Sequence, residues 1–122
     1  MRLTKIFISI LAFGIIFSCK SKDPSILKVY VKSNNFILTP DATVRIVGDL
    51  SKGTPEYFEE KKTDDNGVVN FNLDDLFSSL DKEQNGRAYF TLYAKDSADV
   101  FTNKKVSAKV HLTSVETIIL DD

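Results

Sequence analysis

His111 is the single histidine in a chain of 122 residues. A metal centre or a nucleophile–base pair needs an imidazole with a positioned partner, and no neighbouring residue supplies one. His111 falls on the polar phase of the alternating run "KVSAKVHL", so it is expected to face solvent. Asp64-Asp65-Asn66-Gly67 places acidic and amide oxygens at alternating positions, as a calcium loop does. The distant bidentate glutamate is missing, however, since position 75 is Asp. The stretch is expected to be a turn. Glu59 and Glu60 are adjacent on a strand-like run and point to opposite faces, so they cannot by themselves pair for acid–base work. A solvated edge strand protected by charge is expected there.

Tyr89 and Tyr93 are different. They share one face of "RAYFTLYAK" with Arg87, Thr91 and Lys95. Aromatic rings set between polar groups on an outer sheet face can hold a protein partner or stack on sugar, although cross-strand packing uses the same residues. Tyr89 and Tyr93 are therefore the candidate partner-binding residues. The chain has no Trp, which weighs against a carbohydrate platform. There is no Gly-rich phosphate loop and no clustered ligand set. No metal, no cofactor and no enzymatic activity are expected.

Cys19 is the only cysteine. It ends an apolar run, Ile6 to Phe17, that follows the basic residues Arg2 and Lys5, and charge resumes at Lys20. As a helix the run reaches about 18 Å, short of a hydrocarbon core of about 30 Å. A basic start, a short apolar centre and a small residue before a boundary describe a secretory signal peptide over residues 1–18. The ending Ile16-Phe17-Ser18-Cys19 resembles the bacterial lipobox, with bulky Phe17 as its departure. That resemblance implies lipidation of Cys19 and a mature chain anchored by it. Lys20 is not the Asp that marks inner-membrane retention in enteric bacteria. A bacterial outer-membrane location follows as the expectation, facing the periplasm or the cell surface. Two or three acyl chains at about 0.8 kcal/mol per buried CH₂ make a stable anchor.

Without Arg2 and Lys5 the 16 basic residues fall to 14, against 17 acidic, a net of −3. Phosphate binding needs clustered positive charge, so no nucleic-acid partner is expected. With Cys19 acylated there is no disulfide, and the fold must rest on its core.

Residues 19–25 are polar and read as a tether, leaving 26–122 as one domain. Apolar residues alternate at Leu27/Val29/Val31, Ala42/Val44/Ile46, Val69/Phe71/Leu73, Ala88/Phe90/Leu92/Ala94 and Val106/Ala108/Val110/Leu112, and "VETIIL" closes the chain. "YFEEKKT" and "VVNFNL" flank Asn66-Gly67 and are expected to form a hairpin. "LDDLFSSLDKEQNG" breaks the strand pattern. A short helix capped by Asp74 or Asp75 and ended by Asn85-Gly86 is expected. Seven short strands with one helical connection predict an all-β fold, a single seven-stranded antiparallel β-sandwich.

"PDATVRIVGD", "TDDNGVVNFNL", "AYFTLYAKD" and a late V-x-A-x-V strand resemble the carboxypeptidase-regulatory-like group of transthyretin-type sandwiches. That group reads "P-x-A-x-V-x-[VIL]", "T-D-x-x-G-x-[FVY]-x-[FIV]" and "Y-x-L-x-[VA]". The match spans most of Leu27 to Leu120, and Thr63 to Phe71 is its most specific part. Asp41 in the first motif and the helical insertion after Leu73 depart from it. The resemblance implies an accessory or spacer domain. The expectation is a membrane-anchored, non-catalytic binding or structural module for a protein partner. The alternatives are a carbohydrate-binding lipoprotein and a carboxylate-based, glycan-active enzyme.

Overall fold

The structure is a computed structural model that describes residues 23–80, 86–97 and 100–121. Cys19, the signal-peptide residues and most of the tether lie outside the described residues. The described chain runs β1 (Ile26–Lys32), β2 (Thr43–Gly48), a 3₁₀ turn (Leu50–Lys52), β3 (Phe58–Lys62), β4 (Val68–Asn72), α1 (Asp74–Ser78), β5 (Arg87–Lys95), β6 (Thr102–Lys109) and β7 (Thr113–Ile119). The strands make two sheets, ordered β4-β1-β7 and β3-β2-β5-β6. This is an all-β sandwich of seven strands with one short helix, as the alternation predicts.

The alternation works because each sheet has one dry face and one wet face. Leu27, Val29 and Val31 meet Val44, Ile46, Phe71, Phe90 and Leu92 in one core, and all eight are buried. Burying each such side chain favours folding by about 1.5–3 kcal/mol. Residues of opposite phase form the outer faces.

Four expectations are corrected. The sandwich is not wholly antiparallel, because β1 pairs with β7 in parallel, Ile26 opposite Thr113 through Lys32 opposite Ile119. The expected β3–β4 hairpin is a crossing between sheets, since β3 pairs with β2 and β4 with β1. Thr63 makes the crossing. Its hydroxyl donates to Thr39 O at 2.8 Å and accepts from Ala42 N at 2.9 Å, and the side chain is buried. Asp64 then caps the turn, its carboxylate accepting from Asn66 N and Val68 N. Gly67 alone takes the left-handed conformation, at φ 73°.

Third, β6 ends at Lys109, so Val110, His111 and Leu112 form a turn and Leu112 is exposed. Fourth, α1 stops at Ser78, and its N-cap residue is Leu73, which makes no side-chain cap. Asp74 is drawn elsewhere, its carboxylate accepting from Ser25 N at 2.8 Å. Gly86, at φ 68°, does not end the helix; its carbonyl accepts from Val110 N at 2.7 Å at the start of β5.

Candidate functional site

Tyr89 and Tyr93 lie on the outer face of the four-stranded sheet, both half-buried. Registry fixes their neighbours. Tyr93 stands between Arg45 of β2 and Asn103 of β6, and Tyr89 stands opposite Ser107 of β6. Tyr93 meets Phe101 edge-on, with ring centroids 6.3 Å apart. The Arg45 guanidinium lies 4.7 Å from the Phe101 centroid and 5.6 Å from that of Phe58. Its Nε donates to Glu60 Oε2 at 2.9 Å, a cross-strand pair between β2 and β3. Phe58, 63% exposed, completes an apolar and aromatic centre around one arginine. A cation over an exposed ring contributes about 0.5–1 kcal/mol, so the cluster orders Arg45 rather than stabilising the fold greatly.

Tyr89 is joined to the loop after β2. Asp49 N donates to Tyr89 O at 2.9 Å, and Tyr89 N donates to the buried Thr54 hydroxyl at 2.8 Å. Those bonds set the 3₁₀ turn beside the ring, with Lys52 Nζ 5.1 Å from its centroid. An open cavity of about 320 Å³ sits there, lined in part by Asp49, Lys52, Tyr89, Lys105 and Ser107. The hydrogen bond from the Ser51 hydroxyl, with help from the charges of Lys105 and Lys52, holds the Asp49 carboxyl below its usual range.

His111 faces solvent as expected, but in a turn with φ 61° rather than on a strand. The fold brings it to Ser25 and Asp74 beside a cavity of about 390 Å³. Sequence reasoning missed both partners, which lie 86 and 37 positions away in the chain. Ser, His and Asp together invite comparison with a catalytic triad. The bonds are of another kind: the main-chain N of His111 donates to Ser25 Oγ at 2.8 Å, while its ring Nδ1 is 3.0 Å from Asp23 O. Ser25 is 1% exposed and its own N–H goes to Asp74. The arrangement latches the start of β1 to the β6–β7 turn and to α1.

Glu59 and Glu60 point to opposite sides of β3, an edge strand, as expected. Glu59 accepts from the Tyr57 hydroxyl at 2.5 Å and lies 3.4 Å from Lys61 Nζ. With Glu56 and Asp75 it lines an open cavity of about 590 Å³. Among the described residues no group of three or more His, Cys, Asp or Glu could hold a metal ion. No helix among them is long and apolar enough to cross a membrane. One surface had no counterpart in the sequence reading: the β1–β2 loop presents Phe36 and Ile37, 67% and 65% exposed, with Phe36 at φ 64°. Its signal was the apolar triplet Phe36-Ile37-Leu38 directly after Asn34-Asn35.

No family model matches the chain, and no curated protein matches it. Among solved structures it is similar to catechol 1,2-dioxygenase from Acinetobacter sp. ADP1 inhibited by bound mercury, at 13% identity and a TM-score of 0.45. That match covers 72% of this chain, which spans 37% of the dioxygenase chain.

Proposed function

We propose that the chain is an exported lipoprotein anchored to a bacterial outer membrane through Cys19, whose sandwich holds a protein partner on the Tyr89/Tyr93 face. The observation that carries the binding half is the composition of that face. Arg45, Tyr93, Phe101 and the exposed Phe58 form an aromatic and arginine centre. Aromatic residues and Arg are enriched at the centres of protein interfaces. The resemblance to accessory sandwich domains supports the same role, and in this reading the domain catalyses nothing. The anchoring half is supported by the lipobox-like residues and by the polar stretch leading to Ser25.

Two experiments test it. Cys19→Ala is expected to abolish acyl labelling and leave an unprocessed precursor; a variant that still matures and partitions with membranes refutes the anchor. Crosslinking in native membranes is expected to trap a defined partner, lost in Tyr89→Ala/Tyr93→Ala. A carbohydrate-binding reading is favoured by one feature, the cavity beside Tyr89 with Lys52 and Lys105 on its wall. Saturable glycan binding without any protein crosslink selects it instead.

A further inference from the structure

From the charge of the same face we infer the chemistry of the partner: an acidic protein surface, docked across the four-stranded sheet. This rests on the protein-partner reading and adds to it. The outward positions of that sheet carry Arg45, Lys62, Arg87, Lys95, Lys105 and Lys109. Among the described residues of those strands, the only outward carboxylate is Glu60, which Arg45 already engages. Three carboxylates stand at the border: Asp41 near Lys62, Asp49 near Lys105, and Glu116 on the wall of the cavity that Lys105 also lines. Among the described residues the outer face of the other sheet carries only the cations Lys28 and Lys32, so the larger share of outward positive charge lies on the four-stranded face, in a chain whose formal net charge is −1. A segregation of this kind steers an oppositely charged partner and rejects like-charged ones.

The pattern within the face selects protein over other anions. Arg45, Val47, Thr91 and Tyr93 occupy the middle, with Phe58 and Phe101 beside them. The lysines and Arg87 stand around that middle. An aromatic and arginine centre with a charged, solvated rim is the anatomy of a protein interface. Pure charge attraction to a lipid surface or a polyanion needs no such centre. A second copy is disfavoured, because the face would meet its own charge.

Size sets the strength. Four strands about 4.8 Å apart, two of roughly 27 Å and two of roughly 18 Å, give a footprint of about 430 Å², below the about 800 Å² per partner of a standard interface. The complex is therefore transient and salt-sensitive.

The test uses the full chain, purified in non-ionic detergent and immobilised through a C-terminal tag. The probe is poly-L-glutamate, compared with dextran sulfate and with phosphatidylglycerol/phosphatidylcholine vesicles. Poly-L-glutamate is expected to bind in preference to both, more weakly as salt rises. Lys105→Glu/Lys109→Glu is expected to weaken it about tenfold, and Lys28→Glu/Lys32→Glu on the other sheet by less than about twofold. Absent binding, equal loss in both variants, or preference for dextran sulfate or vesicles overturns the inference. So does a self-associated chain that the Lys105/Lys109 reversal dissociates. If the membrane crosslink needs Tyr89 and Tyr93 but survives that reversal, the protein-partner reading stands and the acidic chemistry falls. If poly-L-glutamate binds as expected while no crosslink forms, the partner reading fails on its own.

Discussion

Lys61 Nζ donates to the main-chain carbonyl of Asn70 at 3.0 Å, joining the open edge of β3 to the open edge of β4. Lys104 does the same at the opposite corner, Nζ to Thr117 O at 2.9 Å, joining β6 to β7. A glutamate flanks each lysine, Glu59 at 3.4 Å and Glu116 at 3.6 Å. Each lysine lies on the inward phase of an edge strand. The long stem carries the charge across to the facing sheet. The sandwich thereby occupies edge carbonyls that another strand could use, and places charge where one would approach.

Lys61→Met/Lys104→Met should separate stability from solubility. Both side chains are partly exposed, so water can replace the lost donors. The expected cost is about 1 kcal/mol or less per site in urea denaturation. Aggregation should respond more, with light scattering on heating appearing earlier than in the parent chain. Unchanged scattering would show that these lysines do not guard the edges.

Tyr57 gives a pH signature. Its ring is half-buried, edge-on to Phe90 with centroids 6.0 Å apart, and its hydroxyl donates to Glu59. Burial first, then that hydrogen bond and the charges of Glu59 and Asp75, push the phenol above its ordinary range. The folded state therefore holds the proton longer than the unfolded chain. This contribution to stability is complete below about pH 10 and is lost as pH rises above it toward the folded value. In ultraviolet titration the Tyr57 phenol should ionise late. Tyr57→Phe should remove the late fraction and flatten the fall in stability above about pH 10. Superimposable curves for the two proteins would contradict this.

Gly67 and Gly86 both have positive φ, but they should not tolerate alanine equally. A Cβ at Gly67 would lie 2.8 Å from Thr39 N, which is main chain held by its bond to Val31 O. At Gly86 it would meet Val110 Cγ1 at 2.6 Å, a side-chain atom that can turn away. Gly67→Ala should cost about 2 kcal/mol or more, from left-handed strain plus the clash, and Gly86→Ala about 1 kcal/mol. For a domain of this size each kcal/mol is about 4–8 °C in melting temperature. Equal shifts would mean that the β1–β2 loop yields more readily than its hydrogen bonds imply.

What was legible in the sequence was whatever depends on one strand at a time. Leu27, Val29, Val31, Phe71, Phe90 and Leu92 are buried because their period of two matches a sheet with one dry face. The half-buried outer positions of Tyr89 and Tyr93 follow from the same phase. Pairing was less legible. Asp64 to Gly67 has turn chemistry whichever way the chain leaves it. The decision to change sheets belongs to Thr63, whose hydroxyl binds Thr39 O and Ala42 N, residues 24 and 21 positions earlier. The parallel β1–β7 pair leaves no local trace. The outer face was readable strand by strand, yet its charge and its centre appear only when Arg45, Phe58 and Phe101 are brought beside Tyr93 from three other segments. The turn at Val110–Leu112 was hidden because its apolar residues continue the phase of β6.

The latch at Ser25 carries the last prediction. Ser25 ties the start of β1 to two segments, the β6–β7 turn and the start of α1, through three different atoms: Oγ accepts from His111 N, N–H donates to Asp74, and its carbonyl accepts from Leu73 N at 2.8 Å. Only the first bond uses the side chain. Ser25→Ala therefore leaves the main-chain bonds in place and strands a part-buried N–H at His111. The expected cost is about 1–2 kcal/mol, the penalty for an unpaired donor rather than the worth of one bond. The loss should be local before it is global, with hydrogen exchange at the His111 amide accelerating more than in β2 or β5. His111→Asn is the counterpart. Asn adopts positive φ readily and keeps the main-chain donor, so it should hold stability within about 0.5 kcal/mol. If Ser25→Ala is as mild as His111→Asn, water satisfies the His111 amide. The β6–β7 turn is then held by the bonds that do not use the Ser25 side chain, among them Val110 N to the Gly86 carbonyl and Ile26 N to the Leu112 carbonyl.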